Sequence, residues 1–284
     1  MSNPAELVTG AVQLYPLPKA YLRLRELLND PDATMAEISA VISNDPAMTT
    51  RFLRMVNSAY FCLHSKIETV ERAVAFLGVD QIHHVMLATS VIGAFAEIPK
   101  QLLDINAFWI RSVHCAVVAR LLAQRCNLPY SERLFVSGLL HRIGHLILCQ
   151  QLPESVRQIK EESLRKHKPV FKAERTILGY DYAQVGGELM ERWELPDSLQ
   201  LAVRYHTNPA EADNFILDTA IVHVASVITT AAAWKSEDDE PVPDFEVVAF
   251  QTVGISESDI QTLIEQADQS VAAAIELLLP NLPN

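Results

Sequence analysis

From Lys19 almost to the end of the chain, apolar side chains recur at three- and four-residue intervals, and the segments they form are separated by helix punctuation rather than by the paired turns of strands. Lys19 to Asn29 ends at Asp30 and Pro31. Thr34, Met35, Ala36 and Glu37 then form a capping-box pattern, in which hydroxyl and carboxylate each satisfy an orphaned amide at a helix start. That helix stops at Asn44. Asp45 and Pro46 open the next one, because the aspartate can accept from first-turn amides and proline lacks an N–H where none is needed. On it, Met48, Phe52, Met55 and Val56 share one face, a core stripe, and Arg51 and Arg54 lie nearer solvent. Val70 to Leu77 ends at Gly78, a further apolar stripe runs through Ile82, Val85, Met86, Ile92 and Phe95, and Pro99 closes the first half. Nine glycines are too few for a fold full of tight turns, so the expected class is all-α.

The second half reads as longer helices: Asn106 to Arg125, Ser131 to Gln151, Glu154 to Lys166, Tyr182 to Trp193, Ser198 to Tyr205, Asn214 to Trp234, and Ser258 to Leu278. The acidic run Glu237 to Glu240, followed by Pro241 and Pro243, interrupts them and reads as an exposed loop. At 284 residues the chain exceeds the usual ~150 per domain, so one large domain or two closely packed lobes are expected; if two, the change to longer helices at Asn106 divides them as 1–105 and 106–284.

Composition narrows the partners. A net charge of −12 works against nucleic-acid binding, whose affinity comes mostly from cations neutralising phosphates. The cations between Arg157 and Lys172 are interrupted by acids and read as a solvated helix face. No apolar stretch approaches the ~18 to 20 charge-free residues of a membrane span, and the start MSNPAELVTG lacks the basic and apolar regions of a signal peptide, so a cytoplasmic protein without membrane partners is expected. Cys62, Cys115, Cys126 and Cys149 have no CxxC spacing and read as reduced core thiols.

The histidines carry the chemistry worth weighing: His114, then GLLHRIGHL around His141, RYHTNP around His206, and IVHVAS around His223. Taken singly, a histidine on an apolar helix face is a hydrogen-bonded core residue. His83 and His84 are consecutive, point about 100° apart on a helix, and read as rim histidines that cannot share a metal. His141 and His145 form an HxxxH pair of the zinc-protease type, but that motif needs a glutamate directly after its first histidine as general base. Arg142 stands there.

Several motifs in register resemble the HDOD family, the HD-related output domains of bacterial signalling proteins, from about Leu14 to Leu277. In the first half these are ISNDPAMTTRFLRMVNSAYF and IETVERAVAFLGVDQI; in the second, GLLHRIGHL, GYDYAQVGGELMERWELP and RYHTNP. The resemblance implies a helical first lobe packed on a second that is similar to the HD-type phosphohydrolases. In catalytic HD proteins a histidine, an adjacent His-Asp pair and a later aspartate hold a divalent ion that lowers the pKa of its water and neutralises phosphoryl charge. Carried onto this chain, His114 matches the first histidine and His141 the second. Arg142 replaces the paired aspartate, Ser226 the final one, Tyr182 a histidine, and His206 matches a later histidine.

A dication about 4 Å from a guanidinium would meet roughly 8 kcal/mol of repulsion at an effective dielectric of ~20, against the roughly 10 to 16 kcal/mol with which a complete structural zinc site binds. The expectation is therefore a degenerate HD-type cleft without catalytic residues or required cofactor. His114, His141 and His206 could hold a divalent ion only weakly. Such a chain would act as a noncatalytic regulatory module for a protein partner in a signalling pathway or a small anionic ligand. Two alternatives stay open: a divergent metal-dependent phosphohydrolase with other ligands, and a phosphate or nucleotide sensor in which Arg142, His141 and His206 grip the anion. A salt bridge from Arg142 to a buried acid such as Asp181 or Glu188 would also account for the arginine.

Overall fold

The computed structural model describes residues 3–57, 65–95, 103–129, 131–233 and 240–279, and among these every regular element is a helix. The chain divides into two compact units: residues 1–15 with 98–267, and residues 16–97 with 268–284. Sequence order alone divides it at 105; by contacts, the opening helix belongs with the second half and the closing stretch with the first.

In the smaller unit, α2 (Lys19–Leu28), α3 (Met35–Ser43), α4 (Pro46–Val56), α5 (Val70–Leu77) and α6 (Val79–Ala94) follow the punctuation of the sequence. Thr34 and Glu37 form the capping box of α3, and Asp45 accepts from the Met48 amide at the start of α4. Gly78, at φ 76°, ends α5 with a backbone turn that a Cβ would strain. Met48, Phe52, Met55 and Val56 are buried and Arg51 and Arg54 exposed, so the α4 stripe is core. His83 is not a free rim residue: it is half-buried, and its Nε2 lies 2.8 Å from the hydroxyl of the buried Tyr21.

The larger unit holds α1 (Pro4–Leu14), α7 (Ile105–Arg125), α8 (Glu132–Leu140), α9 (Ile143–Gln151), α10 (Pro153–Lys166), α11 (Val170–Leu178), α12 (Tyr182–Arg192), α13 (Asp197–Tyr205), α14 (Ile216–Ala233), α15 (Val247–Val253) and the first part of α16 (Glu257–Leu278). Its centre is the pair α7 and α14, with α8 against α7 and α13 against both α8 and α14. From Asp218 to Thr230 every residue of α14 is buried, because this helix is apolar nearly all round and is covered on all sides.

This apolar character corrects one expectation. By length and composition, Ile105–Arg125 and Ile216–Ala233 are each long and apolar enough to cross a membrane. Here they are packed inside the unit, with Arg111 paired to Glu240, Arg125 to Asp259 and Asp218 to Arg133.

The expected helix Ser131 to Gln151 is also corrected. It breaks at His141 and Arg142, the latter at φ −103° and ψ 11°, and the His145 amide closes a tight turn onto the Arg142 carbonyl. The HxxxH pair therefore does not lie on one continuous helix.

Candidate functional site

Two glycines bracket the break and explain how its side chains reach their neighbours. A Cβ at Gly138 would lie 2.8 Å from the Cys115 carbonyl oxygen and the Ala116 Cα, so α8 rests directly on the α7 backbone. A Cβ at Gly144 would overlap the Tyr182 carbonyl oxygen and lie 2.5 Å from the Gly186 nitrogen, so α9 and α12 cross at backbone contact. This crossing sets His141, Arg142 and His145 against the start of α12.

The structure brings His141, Arg142, Tyr182 and His206 together. The His141 and His206 rings meet edge to face at 5.3 Å, the Tyr182 ring lies 5.6 Å from that of His206, and the Arg142 Cζ sits 5.0 Å from the Tyr182 ring centre. His114 is half-buried on α7, three residues beyond Arg111, and Ser226 is buried on α14, four residues before Thr230.

Partners fix the protonation of the inner histidines. A carbonyl oxygen only accepts, so His141 Nδ1–H donates to Gly138 O (2.6 Å), His206 Nδ1–H to Val203 O (2.7 Å) and His223 Nδ1–H to His206 O (2.7 Å). Their Nε2 atoms are then lone-pair acceptors. That of His223 takes the Glu246 amide at 3.0 Å, and that of His206 lies 3.4 Å from the Tyr182 hydroxyl. Burial holds all three below the ordinary imidazole range, His206 at about 3, so they are neutral at physiological pH.

Arg142 is the largest departure from the sequence reading. Its side chain, 8% exposed, does not reach Asp181 or Glu188; its Nη1 donates to both Glu240 carboxylate oxygens, at 3.1 and 2.9 Å. Arg111 Nη1 donates to the same carboxylate at 2.8 Å while its Nη2 reaches the Thr230 hydroxyl, also at 2.8 Å. Glu240, expected in an exposed loop, is an interior residue with a side chain 15% exposed; the rest of the run, Glu237 to Asp239, lies outside the described residues. Burial would raise its pKa, but Arg142 and Arg111 hold it down at about 2. Asp181 instead caps α12 and takes Arg175 and the Thr207 hydroxyl, and Glu188 pairs with Arg192 and Arg204.

Sequence reasoning also missed Glu174. Fully buried on α11, it accepts the Tyr182 amide at 2.8 Å and faces His145 Nδ1 at 3.4 Å. Burial works against a charged His145, yet Cys149 and Glu174 beside it raise its pKa above the usual range. Two signals were visible in the sequence: a lone acid on the apolar face shared by Phe171 and Ala173, and a cation, Arg111, inside the apolar run of α7. Glu240 offered none, since an acid in an acidic, proline-rich stretch reads as solvated. Cys115 and Cys149 are buried free thiols and Cys126 a half-buried one; Cys62 lies outside the described residues.

The groups present do not fit the divalent ion of catalytic HD proteins. His223 has spent both ring nitrogens, His145 is turned to Glu174, and at Arg142, where the resemblance implies the paired aspartate, a guanidinium is bonded to Glu240. Among the described residues no three His, Cys, Asp or Glu side chains are gathered in a way that could hold a metal.

Fold and site together define an all-α protein that gathers neutral histidines, a tyrosine and an arginine–glutamate ion-pair network in the interior of its larger unit. The HDOD domain model matches residues 14–209, and the chain belongs to the HDOD family. Similar solved structures agree on the fold. An HDOD domain protein of unknown function from Geobacter sulfurreducens is 23% identical, with a TM-score of 0.74 over 97% of this chain and 98% of its own. A candidate phosphohydrolase from Shewanella amazonensis SB2B is 25% identical, with a TM-score of 0.72 over 96% of each chain. A candidate signal transduction protein from Marinobacter aquaeolei VT8 is 22% identical, with a TM-score of 0.71 over 95% of this chain and 60% of its own. An uncharacterized protein of Treponema pallidum is 24% identical over 193 residues, which are 68% of this chain but only 37% of that protein's length.

Proposed function

We propose that this chain is a noncatalytic signalling or regulatory module, cytoplasmic and without a required metal, that acts by binding a protein partner or a small ligand. The observation that carries the reading is the Arg142–Glu240 pair. Where hydrolysis needs a carboxylate to hold a metal and orient its water, a buried cation is already neutralised by an acid from a distant segment. Membership of the HDOD family supports the reading, as does the match in fold to a candidate signal transduction protein.

The test is turnover. Purified protein supplied with manganese, iron or nickel is expected to release no product from cyclic dinucleotides, nucleotides or p-nitrophenyl phosphate beyond metal-only controls. Metal-dependent turnover that disappears in His141→Ala would overturn the reading.

The network also has a structural consequence. Glu240→Gln leaves two interior guanidinium groups with no carboxylate between them, and breaking a buried pair costs roughly 3 to 5 kcal/mol. The side chains here are 8 to 24% exposed, so the lower end of that range is expected in urea unfolding. A loss below about 0.5 kcal/mol, the worth of a surface pair, would show that the network is solvated.

A further inference from the structure

The Arg111–Glu240–Arg142 cluster is unbalanced. Two guanidinium groups converge on one carboxylate, and the other charged pair that faces them, His145 with Glu174, cancels itself. One positive charge is left over in the interior. Asp104 and Lys160, at the margin of the same cavity, offset each other, and the Asp104 carboxylate is already bonded to the Asn106 and Ala107 amides that open α7.

The cluster also opens onto space. Arg142 and Glu240 line a cavity of about 400 Å³ in the larger unit, together with His145, Cys149, Ser163 and the apolar Leu103, Val156, Ile159 and Val170; Arg111 is not among the lining residues and meets the cavity only through the Glu240 carboxylate it holds. A volume in the hundreds of cubic ångströms, partly apolar walls and a few polar groups among them are the attributes of a small-molecule site.

We infer that Arg111 and Arg142 form a receptor for the phosphoryl dianion of a small organic phosphate monoester, and that the Glu240 carboxylate fills it as a tethered stand-in when no ligand is bound. The inference names the ligand class of the regulatory reading above and rests on it. A carboxylate brings one charge and two oxygens to two guanidinium groups. A phosphoryl group brings up to two charges and three oxygens, which balances both arginines, and its organic substituent enters the apolar part of the cavity. Glu240 is replaceable because it lies in a non-helical stretch, 240–246, in which Pro241 and Pro243 have no amide hydrogen to tie the backbone down and the Glu246 amide is held by His223 at the far end. No metal takes part, and the site binds rather than cleaves.

The experiment is calorimetric titration of the full chain at about pH 7.5, where a phosphomonoester is mainly dianionic, with phenyl phosphate, inorganic phosphate and the monoanion phenyl sulfate. Phenyl phosphate is expected to bind at least about tenfold more tightly than either of the others. Glu240→Gln removes the internal competitor and should tighten phenyl phosphate about tenfold or more. Arg111→Gln keeps the balanced Arg142–Glu240 pair, should fold, and should abolish binding; it carries the test should Glu240→Gln fail to fold. Equal affinity for phenyl phosphate and phenyl sulfate, no gain in a folded Glu240→Gln, or unchanged binding in Arg111→Gln would overturn the inference. Absence of binding without turnover sinks only this ligand assignment, whereas metal-dependent release of phenol from phenyl phosphate sinks the noncatalytic reading itself.

Discussion

Gly144→Ala is expected to destabilise the larger unit by roughly 3 to 5 kcal/mol, a large share of the roughly 5 to 15 kcal/mol that holds an ordinary domain folded. The added methyl group would overlap the Tyr182 carbonyl oxygen and crowd the Gly186 nitrogen and the Val185 Cβ. Two of these three are backbone atoms, so no rotamer change relieves the overlap, and α9 must separate from α12. Separation opens a gap beside Ile143 and Val185, both fully buried, and adds a cavity cost to the strain. It also draws Arg142 off the Tyr182 ring and His145 away from Glu174, so any ligand response should be lost with stability.

Gly10→Ala is the internal control. Its Cβ would meet nothing nearer than the Gln151 side chain at 3.9 Å, on the exposed face of α1, and helix propensity alone predicts a gain of up to about 1 kcal/mol. Urea unfolding followed by circular dichroism measures both. A loss under 1 kcal/mol in Gly144→Ala would mean that the two helices do not cross at backbone contact.

The contrast between these glycines shows what the sequence conveyed. Helix starts and stops were legible because their signals are local. The Thr34 and Glu37 capping box, Asp45 with Pro46, and the Gly78 stop each depend on residues within one turn. The helices that escaped notice, α1, α11 and α15, span eleven, nine and seven residues, short enough that apolar spacing scarcely repeats. The break at His141 and Arg142 was hidden because GLLHRIGHL keeps a helical apolar rhythm straight through it.

Of the six residues read as the cleft, which also include His114 and Ser226, four, His141, Arg142, Tyr182 and His206, are seen to meet. The charge balance of the cleft was not legible. Whether Arg142 repels an ion, binds a ligand or is neutralised depends on Glu240, 98 residues away, whose own neighbours give no reason to bury it. Long-range pairing of opposite charges leaves no local trace, so a salt bridge could be anticipated for Arg142 while its partner could not.

The same cleft predicts marked acid sensitivity. His206 has a folded pKa of about 3 against an ordinary 6.5, and His141 and His223 are depressed with the same leading cause, burial that disfavours the charged ring. A depressed pKa means that the unfolded chain binds the proton first. The stability these neutral rings allow is therefore complete above about pH 6.5 and drains away as pH falls toward the folded value. For His206 alone the loss is about 2 kcal/mol by pH 5 and about 4 kcal/mol by pH 3. His141 and His223 add to it with the same sign. Glu240 acts in a lower window: its folded pKa of about 2 lies below an unfolded value of 4.5, so its contribution is intact above 4.5 and fades only beneath it. Between pH 6.5 and 4.5 the depressed histidines dominate, because His145, whose folded pKa is raised, contributes with the opposite sign and changes mainly above pH 6.5; stability should therefore fall steadily across that interval. Urea unfolding at pH 7.5, 6 and 5 gives the slope, and His206→Gln, which cannot take up the proton, should flatten it by close to one proton's worth, about 1.4 kcal/mol per pH unit well below pH 6.5. A stability profile level from pH 7.5 to 5 would mean that these imidazoles are charged or solvated in the native cleft, and would remove the basis for treating them as neutral neighbours of Arg142.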